Sequence, residues 1–239
     1  MKFNLDDLEL MRAHVRALFT FDPKSRLLFV NEPGGSMAPA PRLFLGRTRA
    51  GNVWQFRADL PDEIVAKLDT LCASEPPIET EFNRPPRYLE QYLRLFEQNT
   101  SSAPQVSAGP AYFFTDYLEP TGETIVVTEK NAEVLRDGFA DWIAEVPTWQ
   151  PFVALTEETR VVSICCSVRI TPEAHEAGVE TLPAFRGRGY AVDAAAQWAA
   201  LVRSTGALPL YSTSWENAAS QAVARKLRLQ LYGSDFQIA

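Results

Sequence analysis

One strand–helix–strand unit, over residues 177–213, constrains the fold of this chain more than any other part of the sequence. The run 179–182 predicts a strand that ends at Pro183, and the alanine-rich run 190–204 predicts a long helix. Residues 208–213 predict the strand that returns. Because a crossover of this length joins parallel strands by a right-handed connection, we expect these two strands to lie parallel in one sheet.

The corner between the first strand and the helix reads Arg186-Gly187-Arg188-Gly189. The first N–H groups of a helix have no internal partner, and they carry the positive end of the helix dipole. Glycine has no Cβ to keep a ligand away from those groups, and the two arginines add positive charge. The corner therefore predicts an anion site, and we expect a pyrophosphate there.

Three other interpretations of this corner can be compared with the sequence. A P-loop needs the pattern GxxxxGK[ST], which the sequence lacks. A dinucleotide fingerprint needs a small residue where Val192 stands and an acidic residue after the next strand, where the sequence has Tyr211-Ser212-Thr213. A glycine turn with solvated arginines is favoured for an isolated RGRG, but the surrounding β-α-β unit favours the anion site.

Several motifs in this order resemble one protein family. Arg186-x-x-Gly189-x-Ala191 is similar to the R/Q-x-x-G-x-G/A motif of the GNAT superfamily of acyl-CoA N-acyltransferases. Asn217, which follows the second strand and opens a helix, resembles the next element of that family. Residues 225–227 and 231–236 resemble its end. The resemblance is strongest over about 150–239, begins at about 112, and does not cover 1–110.

The resemblance implies an α/β (α+β) fold with a GNAT-like mixed central sheet, whose two parallel strands splay apart around the pantetheine arm of acetyl-CoA. No metal is implied. The implied cofactor-binding residues are Val179, Glu180 and Thr181 on the first strand, Arg186, Gly187, Arg188, Gly189, Tyr190, Ala191 and Val192 at the helix start, and Asn217 beyond the second strand.

The reaction that the resemblance implies is direct attack of a neutral amine on the thioester. An alkyl ammonium with a pKa of about 10.4 must first lose a proton, so a base is needed. Glu180, on the first cofactor strand, is the first candidate for this base. Glu176 and His175 are the alternatives.

The acid that protonates the leaving thiolate has several candidates in the sequence. The family often places a tyrosine seven residues after the asparagine, and this chain has Ala224 at that position. Tyr211 is the first substitute, with Ser214 and Tyr232 as others, and each also has a structural interpretation. Thiolate loss without a dedicated acid is feasible, because the thiolate of a thiol with a pKa of about 8.5 is a fair leaving group.

Composition excludes several classes of protein. A net charge of −7 argues against nucleic acid and anionic membranes as partners, because such surfaces need a basic excess. No apolar run approaches the roughly 20 residues that span a bilayer. Three cysteines without metal-ligand spacing and only two histidines predict a reduced, metal-free protein. The acidic N-terminal residues do not fit a signal peptide, so we expect a cytoplasmic protein.

The rest of the chain predicts two regions. Residues 1–105 form an N-terminal α+β region, residues 98–110 a polar linker, and residues 111–239 the acyltransferase domain. The N-terminal region either shapes the acceptor pocket or is a second, degenerate copy of the same fold. Further helices are predicted over 5–19, 59–72, 88–97, 131–146 and 218–227, and further strands over 27–30, 43–45, 53–56, 112–114, 124–127, 152–155, 161–170 and 231–238.

The sequence thus predicts an N-acetyltransferase that acts on a primary amine of a small molecule or a peptide. A catalytically silent acyl-CoA sensor is the alternative, because Ala224 replaces the usual acid and no base is obvious. A nucleotide-binding protein with the same anion corner is a third hypothesis. A homodimer stays open.

Overall fold

The computed structural model describes residues 5–98, 103–115 and 121–239. These residues form six α-helices, which are α1 (Asp7–Leu18), α2 (Asp62–Ser74), α3 (Leu89–Glu97), α4 (Arg136–Phe139), α5 (Tyr190–Ser204) and α6 (Ala218–Lys226). Short 3-10 helices lie at Ala132–Leu135, Ala140–Glu145 and Pro183–Phe185. The strands are β1 (Phe19–Phe21), β2 (Leu27–Val30), β3 (Leu43–Thr48), β4 (Gly51–Phe56), β5 (Val106–Phe113), β6 (Thr124–Val127), β7 (Phe152–Glu157), β8 (Arg160–Ile170), β9 (Ala174–Thr181), β10 (Leu208–Ser212) and β11 (Gln230–Ile238).

Nine of these strands form one mixed sheet in the order β4-β3-β11-β5-β10-β9-β8-β7-β6. Within this sheet β9 and β10 pair in parallel, and all other neighbours are antiparallel. The predicted fold class, an α/β (α+β) fold with a mixed central sheet, is confirmed. Among the helices of the described residues, none has the length and apolar character that a membrane span requires.

Helix α5 covers one face of the sheet over β7, β8 and β9. Its alanines are small enough to let the helix axis approach the strands, and Trp198 fills the space between them with no exposed surface. Asp193 in the first turn and Arg203 in the last turn complement the helix dipole. This packing fixes the N-terminus of α5 above the end of β9.

The periodicity of residues 5–19 predicts helix α1, and the structure places this helix on the opposite face of the sheet. Its start is fixed by a capping box, in which Glu9 N–H donates to Asp6 Oδ1 at 2.7 Å and Asp6 N–H donates to Glu9 Oε2 at 2.9 Å. Met11 lies against Gly46 and Gly233, where an added Cβ would come within 2.4 Å of its side chain. The two glycines therefore let α1 lie close to β3 and β11.

The predicted linker over 98–110 is wrong for its second half, because Val106–Phe113 is the central strand β5. The small residues of this strand give it the composition of a loop, but Gly109 is small because of packing. A Cβ on Gly109 would lie 1.7 Å from the carbonyl oxygen of Thr213, so the backbone after β10 crosses directly over this glycine. Residues 99–102 lie outside the described residues.

Strands from both predicted regions belong to the same sheet. β3 and β4 come from the N-terminal region, and β3 pairs with β11 from the C-terminal end of the chain. The division into domains at 1–105 and 111–239 stays a prediction. The predicted helix over 131–146 is broken instead, because Gly138 has a φ of 111° and lies against Leu182.

Candidate functional site

Strands β9 and β10 pair over three positions and then separate. Their last paired residues are Glu176 and Leu210. Beyond them β9 continues to Thr181 along β8, while β10 continues to Ser212 along β5. The splayed parallel pair that the resemblance implies is therefore present, and it opens a cleft inside the sheet.

A cavity of about 450 Å³ occupies this cleft and extends to the starts of α5 and α6. Almost all the predicted cofactor-binding residues line it, and Arg188 is the exception. The predicted residues on its wall are Val179, Glu180, Thr181, Arg186, Gly187, Gly189, Tyr190, Ala191, Val192 and Asn217, together with Tyr211.

The start of α5 offers a row of backbone N–H groups without acceptors. Among the described residues, the N–H groups of 187–191 donate no hydrogen bond, and the first helical ones are Val192 N–H to Gly189 O at 2.8 Å and Asp193 N–H to the same oxygen at 3.3 Å. Val192 thus lines the cavity with its N–H already used. Five successive unsatisfied N–H groups at a helix start are suited to an anion with several oxygens.

Gly187 and Gly189 give the loop its shape. Their φ values are 81° and 96°, in the left-handed region that residues with a side chain rarely adopt. A Cβ built on either glycine meets no atom within 4 Å. The protein does not fill this space, so a ligand can approach the backbone closely.

The two arginines of the corner occupy different surroundings. Arg186 lines the cavity and donates from Nε to the carbonyl oxygen of Thr181 at 3.2 Å. Arg188 lies over the ring of Phe185 and pairs with Glu157 at 3.2 Å, outside the cavity wall. The sequence predicts both arginines at the ligand site, and the structure places only Arg186 there.

Lys226 supplies a second positive charge that sequence reasoning missed. It lines the cavity from the last turn of α6. Ala219, Ala222 and Val223 line the cavity from the same helix. These residues precede Lys226 by seven, four and three positions, so all four lie on one face of α6. This spacing is the sequence signal that could have identified Lys226.

Asn217 caps α6, as its chemistry predicts. Its Oδ1 accepts a hydrogen bond from Ser220 N–H at 3.0 Å. The preceding turn is held by Gln221, whose Nε2 donates to the carbonyl oxygen of Trp215 at 2.8 Å. The side-chain amide of Asn217 therefore has a fixed position at the cavity wall.

The backbone of β9 alternates between the cleft and β8. The carbonyl oxygen of Glu180 accepts from Ser163 Oγ at 3.0 Å, and Leu182 N–H donates to Val162, so these two residues direct their backbone groups to β8. Because successive residues of a strand point their polar groups to opposite sides, those of Val179 and Thr181 face the cleft. The Thr181 carbonyl is already bound to Arg186.

The two predicted catalytic residues both line the cavity, from different faces of the sheet. Glu180 is exposed, and its Oε2 accepts from Trp142 Nε1 at 2.8 Å. Tyr211 is buried, and its hydroxyl hydrogen-bonds Ser220 Oγ at 2.5 Å. Burial raises the pKa of Tyr211 to about 12, although the Ser220 contact opposes this shift. The phenol therefore keeps its proton at neutral pH.

The remaining catalytic alternatives lie away from the cavity wall. His175 is buried against Ser167 Oγ at 2.9 Å, and burial lowers the pKa of its imidazole. Tyr232 is fully buried on the α1 face, and Ser214 lies in the exposed turn before α6. Ala224 is packed in the core under α5, so the residue that replaces the usual tyrosine has a structural place.

Glu176 has surroundings that the sequence does not reveal. Its Oε1 lies 2.6 Å from Nδ1 of His14 in α1, and its Oε2 accepts from Ser212 Oγ at 3.3 Å. The other ring nitrogen of His14 lies 3.5 Å from Asp235 Oδ2. Burial disfavours a charged imidazole, but Glu176 and then Asp235 outweigh it and raise the pKa of His14 to about 10.

A sequence signal for this contact exists at only one of its ends. His14 falls on the apolar face of α1, between the buried Met11 and Val15, and a buried histidine needs polar partners. The partners themselves are far away in sequence, at Glu176 and Asp235. Among the described residues, no group of three or more His, Cys, Asp or Glu side chains has an arrangement that could hold a metal ion.

Residues 152–233 match the family model described as GNAT acetyltransferase, over about a third of the chain. The C-terminal half therefore has the GNAT superfamily fold. This match supports acyl-CoA N-acetyltransferase activity in general terms. The comparison with curated proteins gave no match.

Several solved structures are similar to this chain, at low sequence identity. A GCN5-related N-acetyltransferase-like protein from Streptococcus suis is 14% identical, with 97% of this chain and 99% of that chain covered and a TM-score of 0.47. A GNAT-family acetyltransferase from Colwellia psychrerythraea is 13% identical, with 85% and 82% covered and a TM-score of 0.45. A GCN5-related N-acetyltransferase from Kribbella flavida is 16% identical, with a TM-score of 0.45, and the match spans 61% of this chain and 62% of that chain.

Proposed function

We propose that this chain, whose C-terminal half has the fold of the GNAT superfamily, transfers an acetyl group from acetyl-CoA to a primary amine of a small molecule or a peptide by direct attack. The observation that carries the proposal is the separation of β9 from β10 beside the unsatisfied N–H groups of 187–191. A linear ligand with an anionic centre and an amide-containing arm fits both features at once.

The pyrophosphate of acetyl-CoA fits the start of α5. The open space at Gly187 and Gly189 lets phosphate oxygens reach the N–H row, and the helix dipole favours their negative charge. Arg186 and Lys226 on the cavity wall add two positive charges. An anion there gains charge-assisted hydrogen bonds without any rearrangement of the backbone.

The pantetheine arm fits the free edge of β9. Val179 offers a backbone N–H and a carbonyl toward the cleft, and Thr181 offers its N–H. Amide groups of a ligand that lies along this edge replace the strand pairing that stops at Glu176. The thioester would then lie toward the point where β9 and β10 separate.

The residues around that point can handle the two proton transfers of the reaction. The attacking nitrogen must be neutral, and β9 supplies two carboxylates for its proton, Glu180 on the cavity wall and Glu176 at the strand separation. The leaving thiolate needs a proton, and Tyr211 holds one at neutral pH beside Ser220. Otherwise the protein contributes position and dipoles.

A matched pair of glycine substitutions tests the donor site. Gly189 and Gly206 lie at opposite ends of α5, have φ values of 96° and 91°, and have open space at the Cβ position. An alanine strains the backbone similarly at both, by roughly 1 kcal/mol or more. We expect Gly189→Ala to weaken acetyl-CoA binding at least about ten-fold in a calorimetric titration, whereas Gly206→Ala keeps the wild-type affinity.

Turnover is measured by thiol release from acetyl-CoA with a panel of alkyl amines and peptides. The proposed function requires release that depends on the amine. Tight binding of acetyl-CoA without release on any amine would instead favour the silent sensor, which the buried Ala224 at the place of the usual acid also favours. Equal affinity of Gly189→Ala and Gly206→Ala would contradict the donor site itself.

A further inference from the structure

A buried chain of polar side chains leads from the strand separation into the α1 face of the sheet. Glu176 is the last residue of β9 that pairs with β10, and its carboxylate is 2% exposed. Its two oxygens contact His14 Nδ1 at 2.6 Å and Ser212 Oγ at 3.3 Å. Both hydrogen-bonding directions of this carboxylate are therefore fixed.

Ser212 lies beyond the last pair of β9 and β10, at the border of the cleft and on the opposite face of the sheet from Tyr211. It is the last residue of β10 and follows Tyr211, which lines the cavity. Ser212 is partly exposed, whereas Glu176 is buried. Because the hydroxyl donates to Glu176, its oxygen is free to accept a proton from a group in the cleft.

His14 places a third group behind the carboxylate. The imidazole has no exposed surface, and Asp235 Oδ2 lies 3.5 Å from its Nε2. The ring also contacts Phe44 and Tyr232, at centroid distances of 6.2 Å. A side chain with contacts on every side holds one orientation, so α1 fixes the position of the Glu176 carboxylate.

We propose that Ser212, Glu176 and His14 form a proton-accepting relay for the attacking amine, in which His14 is the positioning residue that the N-terminal helix contributes. The proposal rests on the proposed function and deepens it. Of the two carboxylates on β9, Glu180 is exposed and bound to Trp142, whereas Glu176 lies where the parallel strands separate.

The relay takes one proton from the ammonium before the acetyl group is transferred. The ammonium gives one proton to Ser212 Oγ while the Ser212 hydroxyl proton passes to Glu176 Oε2. The neutral nitrogen then forms a C–N bond with the thioester carbonyl carbon, and the C–S bond breaks. Tyr211 protonates the thiolate sulfur and takes the second nitrogen proton in return, which gives the amide and free CoA, and Glu176 returns its proton to solvent.

His14 matters to this step because it supplies a positive charge beside the carboxylate. The ionisable groups that face His14 are Glu176 from β9 and Asp235 and Tyr232 from β11, while β3 faces it with Phe44. Arg169 of β8, which pairs with Glu176 in the strand register, also interacts with it electrostatically. The cluster therefore holds two carboxylates against one imidazolium.

Ser212→Ala tests the relay in a variant that keeps the core intact, because Ser212 is partly exposed. We expect kcat at pH 7 to fall at least about ten-fold, with an unchanged Kd for acetyl-CoA. The deficit should shrink as the pH rises past the pKa of the acceptor amine, since solution then supplies neutral amine. Ser212→Thr, which keeps the hydroxyl, should restore most of kcat.

Ser204→Ala is the matched control, because it also removes one serine hydrogen bond, to Leu201 O at 2.7 Å, at the far end of α5. It should leave kcat unchanged. His14→Asn keeps a neutral donor toward Glu176 and removes the positive charge. We expect a lower kcat with an unchanged Kd for acetyl-CoA, because the carboxylate that accepts the proton loses its charged partner.

The relay and the proposed function fail in different ways. Wild-type kcat and pH profiles in both Ser212→Ala and His14→Asn would overturn the relay and leave acetyl transfer standing. A wild-type protein that acetylates none of the amines would overturn the proposed function, and the relay with it.

Discussion

Nδ1 of His14 lies 2.6 Å from Oε1 of Glu176, across 162 positions of sequence, at the point where two parallel strands separate. One residue comes from the first helix, and the other from the strand that faces the cleft. The contact ties α1 to the candidate active site. It also makes the stability of the fold depend on pH in a predictable way.

The free energy of unfolding should fall with rising pH through the titration of His14. Its folded pKa of about 10 lies above the unfolded value of about 6.5. The stabilisation is therefore fully present below pH 6.5 and is lost as the pH rises through about 10. The ordinary histidine range of pH 5 to 6 should show little effect from this group.

Urea unfolding of the wild type and of His14→Asn at several pH values measures this dependence. We expect the stability gap between them to be on the order of a few kcal/mol near pH 6, and to narrow toward pH 10. Imidazole nitrogen NMR is a direct companion, since the chain has two histidines. A neutral His14 at pH 8, or a gap that does not change with pH, would contradict the buried ion pair.

Asn217 should contribute to stability and to ligand binding through different atoms. Its Oδ1 caps α6 through Ser220 N–H, and its amide lies at the cavity. Asn217→Ala should cost about 1 kcal/mol of stability through the lost cap. Asn217→Ser keeps a capping oxygen, so it should unfold near the wild-type temperature.

The same two variants separate the two roles in a titration with acetyl-CoA. Both lack the amide, and we expect both to bind acetyl-CoA more weakly than the wild type, by about three- to ten-fold. Wild-type affinity in Asn217→Ser would restrict Asn217 to the role of a helix cap.

Gly109 should tolerate no side chain. A Cβ there would lie 1.7 Å from Thr213 O, and this carbonyl belongs to the turn that leads to Asn217. Gly109→Ala should lower stability by about 1–3 kcal/mol or more, because two backbone segments must move apart. Thermal unfolding checks this, with Ser107→Ala on the exposed part of the same strand as the control.

Gly109 also shows where sequence reasoning fails. The polar, small residues over 98–110 have the composition of a linker, yet β5 is central because β10 and β11 pair with it on both sides. The backbone after β10 crosses over Gly109, and Trp215 N–H donates to the carbonyl oxygen of the neighbouring Ala108 at 3.3 Å. Composition alone cannot distinguish a flexible segment from a strand that has no room for side chains.

Local signals predicted the other parts of the site well. The alanine periodicity of α5, the glycines at its start and the cap at Asn217 are all short-range features, and each is found where the sequence places it. The pairing of His14 with Glu176 is long-range, so periodicity shows that His14 is buried but cannot name its partner. The predicted helix over 131–146 is wrong because apolar spacing gives no information on the positive φ of Gly138.

A comparison of the two β9 carboxylates tests the assignment of the base. Glu176→Gln should reduce kcat about 10²-fold and leave acetyl-CoA affinity intact, because general bases contribute rate factors of this size. Glu180→Gln removes a charge that is exposed and bound to Trp142, so its kcat should stay within about three-fold. The reverse order of effects would place the base at Glu180.

The proposed function depends on the binding of the acetyl-CoA pyrophosphate by the N–H groups of 187–191, beside two separating strands. An amide NMR titration with acetyl-CoA tests it most directly, because each of these N–H groups gives its own signal. We expect saturable shifts that are largest at residues 187–191, at one ligand per chain, with smaller ones at Val179 and Thr181. Binding with no shift at 187–191, or no binding at all, would contradict it.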